Sequence, residues 1–96
     1  MKQYWVYILA SQYNGTLYIG MTGVLARRIW EHKNNLIEGF TKEHGVHRLV
    51  YCEAHATPEE AARRERQMKT WNRQWKINLI EEQNPGWNDL YDQINQ

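Results

Sequence analysis

The chain has 96 residues, 42% of them hydrophobic, with five Trp, six Tyr and one Cys. That is enough for one domain around a single core and too short for two, and a lone cysteine excludes an intramolecular disulfide framework. The formal charge of +1 is unevenly spread: residues 63–76 hold six of the twelve Lys and Arg with Glu65 as their only acid, so a polyanion would meet one basic face and not a basic molecule. No apolar run approaches the roughly 20 residues of a membrane span. The opening Met1 to Ala10 has an apolar part of only about six residues that alternates with aromatics, unlike a signal peptide, and the chain reads as a cytoplasmic protein.

Tyr4 to Leu9 is β-branched and aromatic and is followed by Ser11, Gln12, Asn14 and Gly15, which predicts a strand and a turn. Leu17 to Met21 predicts a second strand, and the Asn14-Gly15 pair joins the two as an antiparallel hairpin. Alternation places Trp5, Tyr7 and Leu9 on one face of the first strand, and Tyr18 and Gly20 on one face of the second. Whether Tyr7 and Tyr18 share a face depends on register, which the sequence leaves open.

Thr22 stands where a helix cap belongs, before a helix of about Val24 to Asn34. At 100° per residue, Ile29 lies about 40° from Leu25, His32 about 340° and Arg28 about 300°, whereas Arg27 lies at about 200°. Arg28 and His32 therefore sit on or beside the apolar stripe and Arg27 points away. Leu36 to His47 lacks a period and reads as a loop with at most one helical turn. Leu49 to Cys52 is a third strand, apolar enough to be central in a small sheet.

Thr57-Pro58-Glu59-Glu60 combines a capping hydroxyl, proline at the first helical position and an acid three residues after the cap, so a long helix starts there. On its wheel Glu65 falls within the stripe of Ala61, Ala62 and Met68. The helix breaks near Asn72, resumes through Trp75, Ile77, Leu79 and Ile80, and stops at Asn84-Pro85-Gly86. Trp87 to Gln96 is left as a short helix or a loosely attached tail.

An inward-facing carboxylate costs several kcal/mol unless it is paired or bound to a metal. Glu65 is thus either in an ion pair with Arg28 or Arg64, or a ligand for a hard divalent cation such as Mg²⁺, which binds through one or two carboxylates plus waters and phosphate. His44, His47, Cys52 and His55 match no closed tetrahedral zinc pattern, and Cys52 within a strand is a poor nucleophile.

Tyr7, Tyr18, Arg28, His32 and Glu65 remain, and with their spacing the sequence resembles the GIY-YIG nuclease superfamily. Trp5-Val6-Tyr7 stands for the first half-motif and Tyr18-Ile19-Gly20 for the second. Arg28 occupies the place of that family's catalytic arginine, His32 follows one helical turn later, and Glu65 matches its metal-binding glutamate. Gly39-Phe40-Thr41, His47 to Tyr51 and Asn84-Pro85-Gly86-Trp87 look like the small stand-alone bacterial members, so residues 1–96 resemble one such domain. Trp5 replaces the usual glycine of the first half-motif, and Met21 stands where the excision-repair relatives carry lysine.

The resemblance implies an α+β fold, a three-stranded antiparallel sheet flanked by helices, and an endonuclease that hydrolyses DNA phosphodiester bonds, structure-selective or linked to repair. It implies Mg²⁺ or Mn²⁺ on Glu65, charge neutralisation by Arg28, and Tyr18 as proton acceptor with a relay through Tyr7 or His32. Lys69, Arg73 and Lys76 would grip flanking phosphates, and Trp71 or Trp75 would stack on an unpaired base. The alternative is a nucleic-acid binding module of the same fold that does not cleave. A second copy or an accessory protein would supply target choice.

Overall fold

The structure is a computed structural model that describes residues 2–94. Three strands, β1 (Tyr4–Ala10), β2 (Leu17–Thr22) and β3 (Arg48–His55), form one antiparallel sheet in the order β2-β1-β3. The fold is α+β, with five helices among the described residues: α1 (Leu25–Lys33), α2 (Phe40–His44), α3 (Pro58–Thr70), α4 (Arg73–Gln83) and α5 (Tyr91–Ile94). The hairpin, the short helical turn after Leu36 and the break at Asn72 fall where the sequence puts them. The expectation that β3 is central is corrected: β1 is the central strand and β3 an edge. β1 is the more apolar strand, buried without interruption from Val6 to Ala10, whereas β3 loses its buried pattern after Tyr51.

Alternation along β1 divides the core. Val6, Ile8 and Ala10 pack with Ile19, Tyr51, Ala61 and Met68 of α3 and Ile80 of α4. Tyr7 and Leu9 face the other way, onto Leu25 and Ile29 of α1, Val46 and Leu49. The sheet is therefore the middle layer, with α3 and α4 on one face and α1 and α5 on the other. A bulge between Ile8 and Leu9 on the β3 side inserts Val50 and lets both faces of β3 keep apolar partners.

Caps fix the helix ends. Thr57 accepts from the Glu60 N–H and Pro58 occupies the first turn of α3; Asn72 accepts from the Trp75 N–H and starts α4. Thr22 is not the cap of α1. Its Oγ1 accepts from the Val24 N–H, tightening the link from β2, and the helix starts one residue later.

The tail from Trp87 is firmly docked. Trp87 is fully buried, its indole N–H donates to Glu81 at 2.7 Å, and Arg48 donates to its carbonyl at 3.0 Å. Buried Asn84 donates to the carbonyls of Val50 and Asn88. Leu90, Tyr91 and Ile94 then pack on the Leu9 face. Residues 95 and 96 of the expected tail lie outside the described residues. Among the described residues, no helix is long and apolar enough to cross a membrane.

Candidate active site

The register settles what the sequence left open. Tyr7 pairs with Gly20 and Leu9 with Tyr18, so both phenols stand on one face as diagonal neighbours, their ring centroids 6.4 Å apart. Gly20 makes this possible. A Cβ there would lie 2.5 Å from the Tyr7 hydroxyl, so the absence of a side chain lets the Tyr7 ring lie over β2.

His32 reaches the same place from α1. It is 2% exposed, its Nε2 lies 2.9 Å from Tyr7 Oη, and its ring sits 5.6 Å from that of Tyr18. Its other ring nitrogen, Nδ1, lies 3.0 Å from Oγ1 of Thr41 on α2. Burial and the nearby Arg28 guanidinium lower the His32 pKa to about 4, so the ring is neutral at physiological pH. Burial raises the Tyr7 pKa well above that of a free phenol, and Tyr18 raises it further while Arg28 opposes the shift. Tyr7 therefore keeps its proton.

Arg28 and Glu65 enter from opposite faces of the sheet, on α1 and α3. Both charges bear on the Tyr7 phenol, Arg28 lowering its pKa and Glu65 raising it. They do not pair with each other. Arg28 lies 3.7 Å from Glu31, and Glu65 lies 3.3 Å from Lys69, while Arg64 binds Glu53. The expected ion pair of Glu65 with Arg28 or Arg64 is thus corrected: the intervening sheet separates it from Arg28, and Arg64 turns to Glu53 on β3. Glu65 remains partly exposed, its side chain at 20%, and its neighbour is a surface lysine one helical turn away.

The basic residues divide. Lys69 and Lys76 line a depression of about 250 Å³ with Leu17, Tyr18, Ile19 and Phe40, directly beside the paired phenols. Arg73 is directed elsewhere, donating to the carbonyls of Asn14 and Gly15 at 2.8 Å each and clasping the β1–β2 turn. Trp71 packs on the core with Arg64 over its ring at 5.0 Å, whereas Trp75 is 56% exposed. Phe40, 44% exposed and stacked on Tyr18 at 6.3 Å, is a second open aromatic surface that periodicity did not single out.

Thr41 and Glu31 also belong to the site and carry no sequence signal of it. Thr41 sits in a stretch without period, and Glu31 reads as one more surface acid on a helix. Of the two departures from the motif, Trp5 is half-buried in β1, and Met21 packs against the core cluster on the α3 face. His44, His47 and His55 are scattered: His44 packs at a tilt against Phe40, His47 bonds Asn35, and His55 bonds Glu53. Burial raises the thiol pKa of Cys52.

A three-stranded sheet bearing two tyrosines on adjacent strands, with an arginine and a histidine on the helix that follows, defines a class of catalytic domain. The GIY-YIG catalytic domain model matches residues 3–78, and the chain belongs to this family. Its relatives include small bacterial UPF0213 proteins. The chain is 37% identical over 82 residues to one from Staphylococcus saprophyticus and 35% identical over 82 residues to one from Staphylococcus epidermidis, covering 85% of this chain and 99% of each relative. The solution NMR structure of a UPF0213 protein from Bacillus halodurans has the same fold. It matches with a TM-score of 0.56 at 31% identity, over 91% of this chain and 92% of that one.

Proposed function

We propose that this protein is a divalent-metal-dependent endonuclease that hydrolyses DNA phosphodiester bonds. The meeting of Tyr7, Tyr18 and His32 on one face of the sheet, with Arg28 one turn before His32 on α1, carries the reading. Arg28 neutralises charge gathering on the phosphoryl oxygens. Tyr18, the more exposed phenol, releases its own proton to solvent and, as the phenolate, takes the proton of the attacking water. Tyr7, held in its protonated form, donates a hydrogen bond that stabilises either the Tyr18 phenolate or a phosphate oxygen, and His32 holds Tyr7 in place. Lys69 and Lys76 contact phosphates on the Tyr18 side.

Glu65 suits Mg²⁺ or Mn²⁺: a single partly exposed carboxylate, paired among the described residues only with a surface lysine that can turn away, leaves most of the coordination to water and substrate phosphate. Held by Glu65, such an ion supplies Lewis-acid polarisation of the scissile phosphate. The absence of an Arg28–Glu65 ion pair leaves both groups open to substrate and favours cleavage over a binding module of the same fold. A second copy or an accessory protein supplies target choice.

The test incubates purified protein with branched, nicked and single-stranded DNA in Mg²⁺ or Mn²⁺ and then in chelator. Metal-dependent product, lost in both Arg28→Ala and Glu65→Ala, supports the enzyme. Salt-sensitive binding with intact substrates refutes cleavage and leaves the binding module.

A further inference from the structure

Phe40 stands open to solvent on a helix that is otherwise tied down. Its ring is 44% exposed, although Thr41, the next residue of α2, is buried and bonded to His32 of α1. The ring is also held in place. His44, one helical turn on, packs at a tilt against it with centroids 4.4 Å apart, and Tyr18 lies nearly parallel to it, with 23° between the ring planes. A lone apolar residue on a surface needs no explanation, but an aromatic face kept open beside a site residue does.

The depression around Phe40 joins two chemistries. Leu17, Ile19 and Phe40 give it an apolar lining, and Lys69 and Lys76 reach it from α3 and α4. Lys76 has no acidic partner among the described residues, and Lys69 has only Glu65, at 3.3 Å. An open ring beside two available ammonium groups is complementary to a nucleotide, with the base on the ring and phosphates on the lysines. The volume, about 250 Å³, lies below the roughly 300–1,000 Å³ of pockets for drug-sized ligands and suits one base. A base within a duplex has both faces covered by its neighbours and offers only its groove edges, so this ring is met by an unpaired base. Trp75 is open as well, but it meets Trp71 edge-on and does not line this depression.

We propose that Phe40 is a specificity-determining residue: it seats one unpaired base of the DNA strand, with Lys69 and Lys76 on the flanking phosphates, so that the substrate class is single-stranded or locally unpaired DNA. Tyr18 lines the same depression, which sets the seated nucleotide next to the phosphate that Tyr18 serves. A continuous duplex reaches the ring only by flipping a base out, at the cost of unpairing and unstacking it. The consequence for cleavage rests on the nuclease reading above; the seat itself requires only binding. A Phe40 that merely stabilised α2 would discriminate no ligand.

The test measures binding, in chelator at low salt, of two fluorescein-labelled DNA strands of equal length and charge: one of thymidines, the other of abasic nucleotides. The wild type should bind the thymidine strand about tenfold tighter. Phe40→Leu, which keeps the apolar bulk and removes the ring, should lose that tenfold on the thymidine strand and nothing on the abasic one, and Phe40→Trp should keep it. Equal binding of the two strands by the wild type, binding of neither, or a preference that survives Phe40→Leu overturns the proposal. Cleavage in Mg²⁺ or Mn²⁺ is read alongside, where the wild type should cut a single strand about tenfold faster than a perfect duplex and Phe40→Leu should narrow that ratio. A duplex cut as fast as the single strand overturns the proposal and leaves the nuclease reading standing. A base preference that depends on Phe40, in a protein that cuts neither DNA, upholds the seat and refutes the nuclease reading.

Discussion

Replacing Gly20 with alanine would drive a methyl group into Tyr7. The new Cβ would lie 2.5 Å from Tyr7 Oη, 2.6 Å from its Cζ and 3.1 Å from Tyr18 Cε2, where unstrained carbon contacts lie at about 3.5–4.0 Å. The backbone is not the difficulty, since Gly20 is not among the glycines with positive φ. Relief requires the Tyr7 ring to move by about 1 Å. That ring is 2% exposed and its tip lies 2.9 Å from His32, so the movement carries the hydroxyl out of hydrogen-bonding distance. Overpacking costs about 1–3 kcal/mol and the lost bond about 1 kcal/mol more. The melting temperature should fall by roughly 10 °C or more for a domain of this size. Urea denaturation of Gly20→Ala, Tyr7→Phe and the double variant closes the cycle. Both single variants lose the same Tyr7–His32 hydrogen bond, which the double variant loses only once, so it should be more stable than the sum of the single effects by about 1 kcal/mol. A single variant within about 0.5 kcal/mol of wild type, or strict additivity, would refute the steric account.

Three further outcomes follow from the same geometry. His32 has its pKa lowered to about 4 from 6.5, so the unfolded chain binds more protons between those values. Its contribution, up to about 3 kcal/mol, is present above pH 6.5 and lost as pH falls toward 4; urea midpoints over that window should show the slope, and His32→Gln should remove it. Glu53 accepts from Tyr51 at 2.6 Å and Arg64 at 2.9 Å and bonds His55 at 2.6 Å, which hold its pKa below the usual range despite burial. Glu53→Ala strands these partners and should cost about 2 kcal/mol by chemical denaturation, while cleavage by the folded fraction is unchanged, because Glu53 pairs with Val6 on the far face from Tyr7. Arg73→Ala should lower stability by about 1 kcal/mol through the freed turn. Its salt dependence of DNA binding should stay near wild type, whereas Lys69→Ala and Lys76→Ala each flatten that slope by nearly one unit; equal flattening in all three would show that Arg73 also meets phosphate.

Much of this molecule is local in origin and was legible as such. The Asn14-Gly15 turn, the Thr57 cap with Pro58, and the break at Asn72 depend on residues within one turn of each other, and the sequence places all three. Helical period alone put His32 on the apolar side of α1 and Arg28 at its rim, and the structure has them so. The resemblance to the family rested on the same short spacings. What the sequence could not reach were the contacts between elements. Only the strand register put Tyr7 opposite Gly20 and beside Tyr18, since a shift of one residue would have turned every side chain of β2 to the other face. Only packing brought Thr41, 9 positions after His32, onto its ring, and turned Arg73 from a surface charge into a clasp on a turn 58 residues away. The partner of Glu65, by contrast, is local: Lys69 one helical turn on. Composition and period determine which residues must be buried or capped; which buried group meets which is fixed by the tertiary structure, through long-range contacts that leave no periodic trace in the chain.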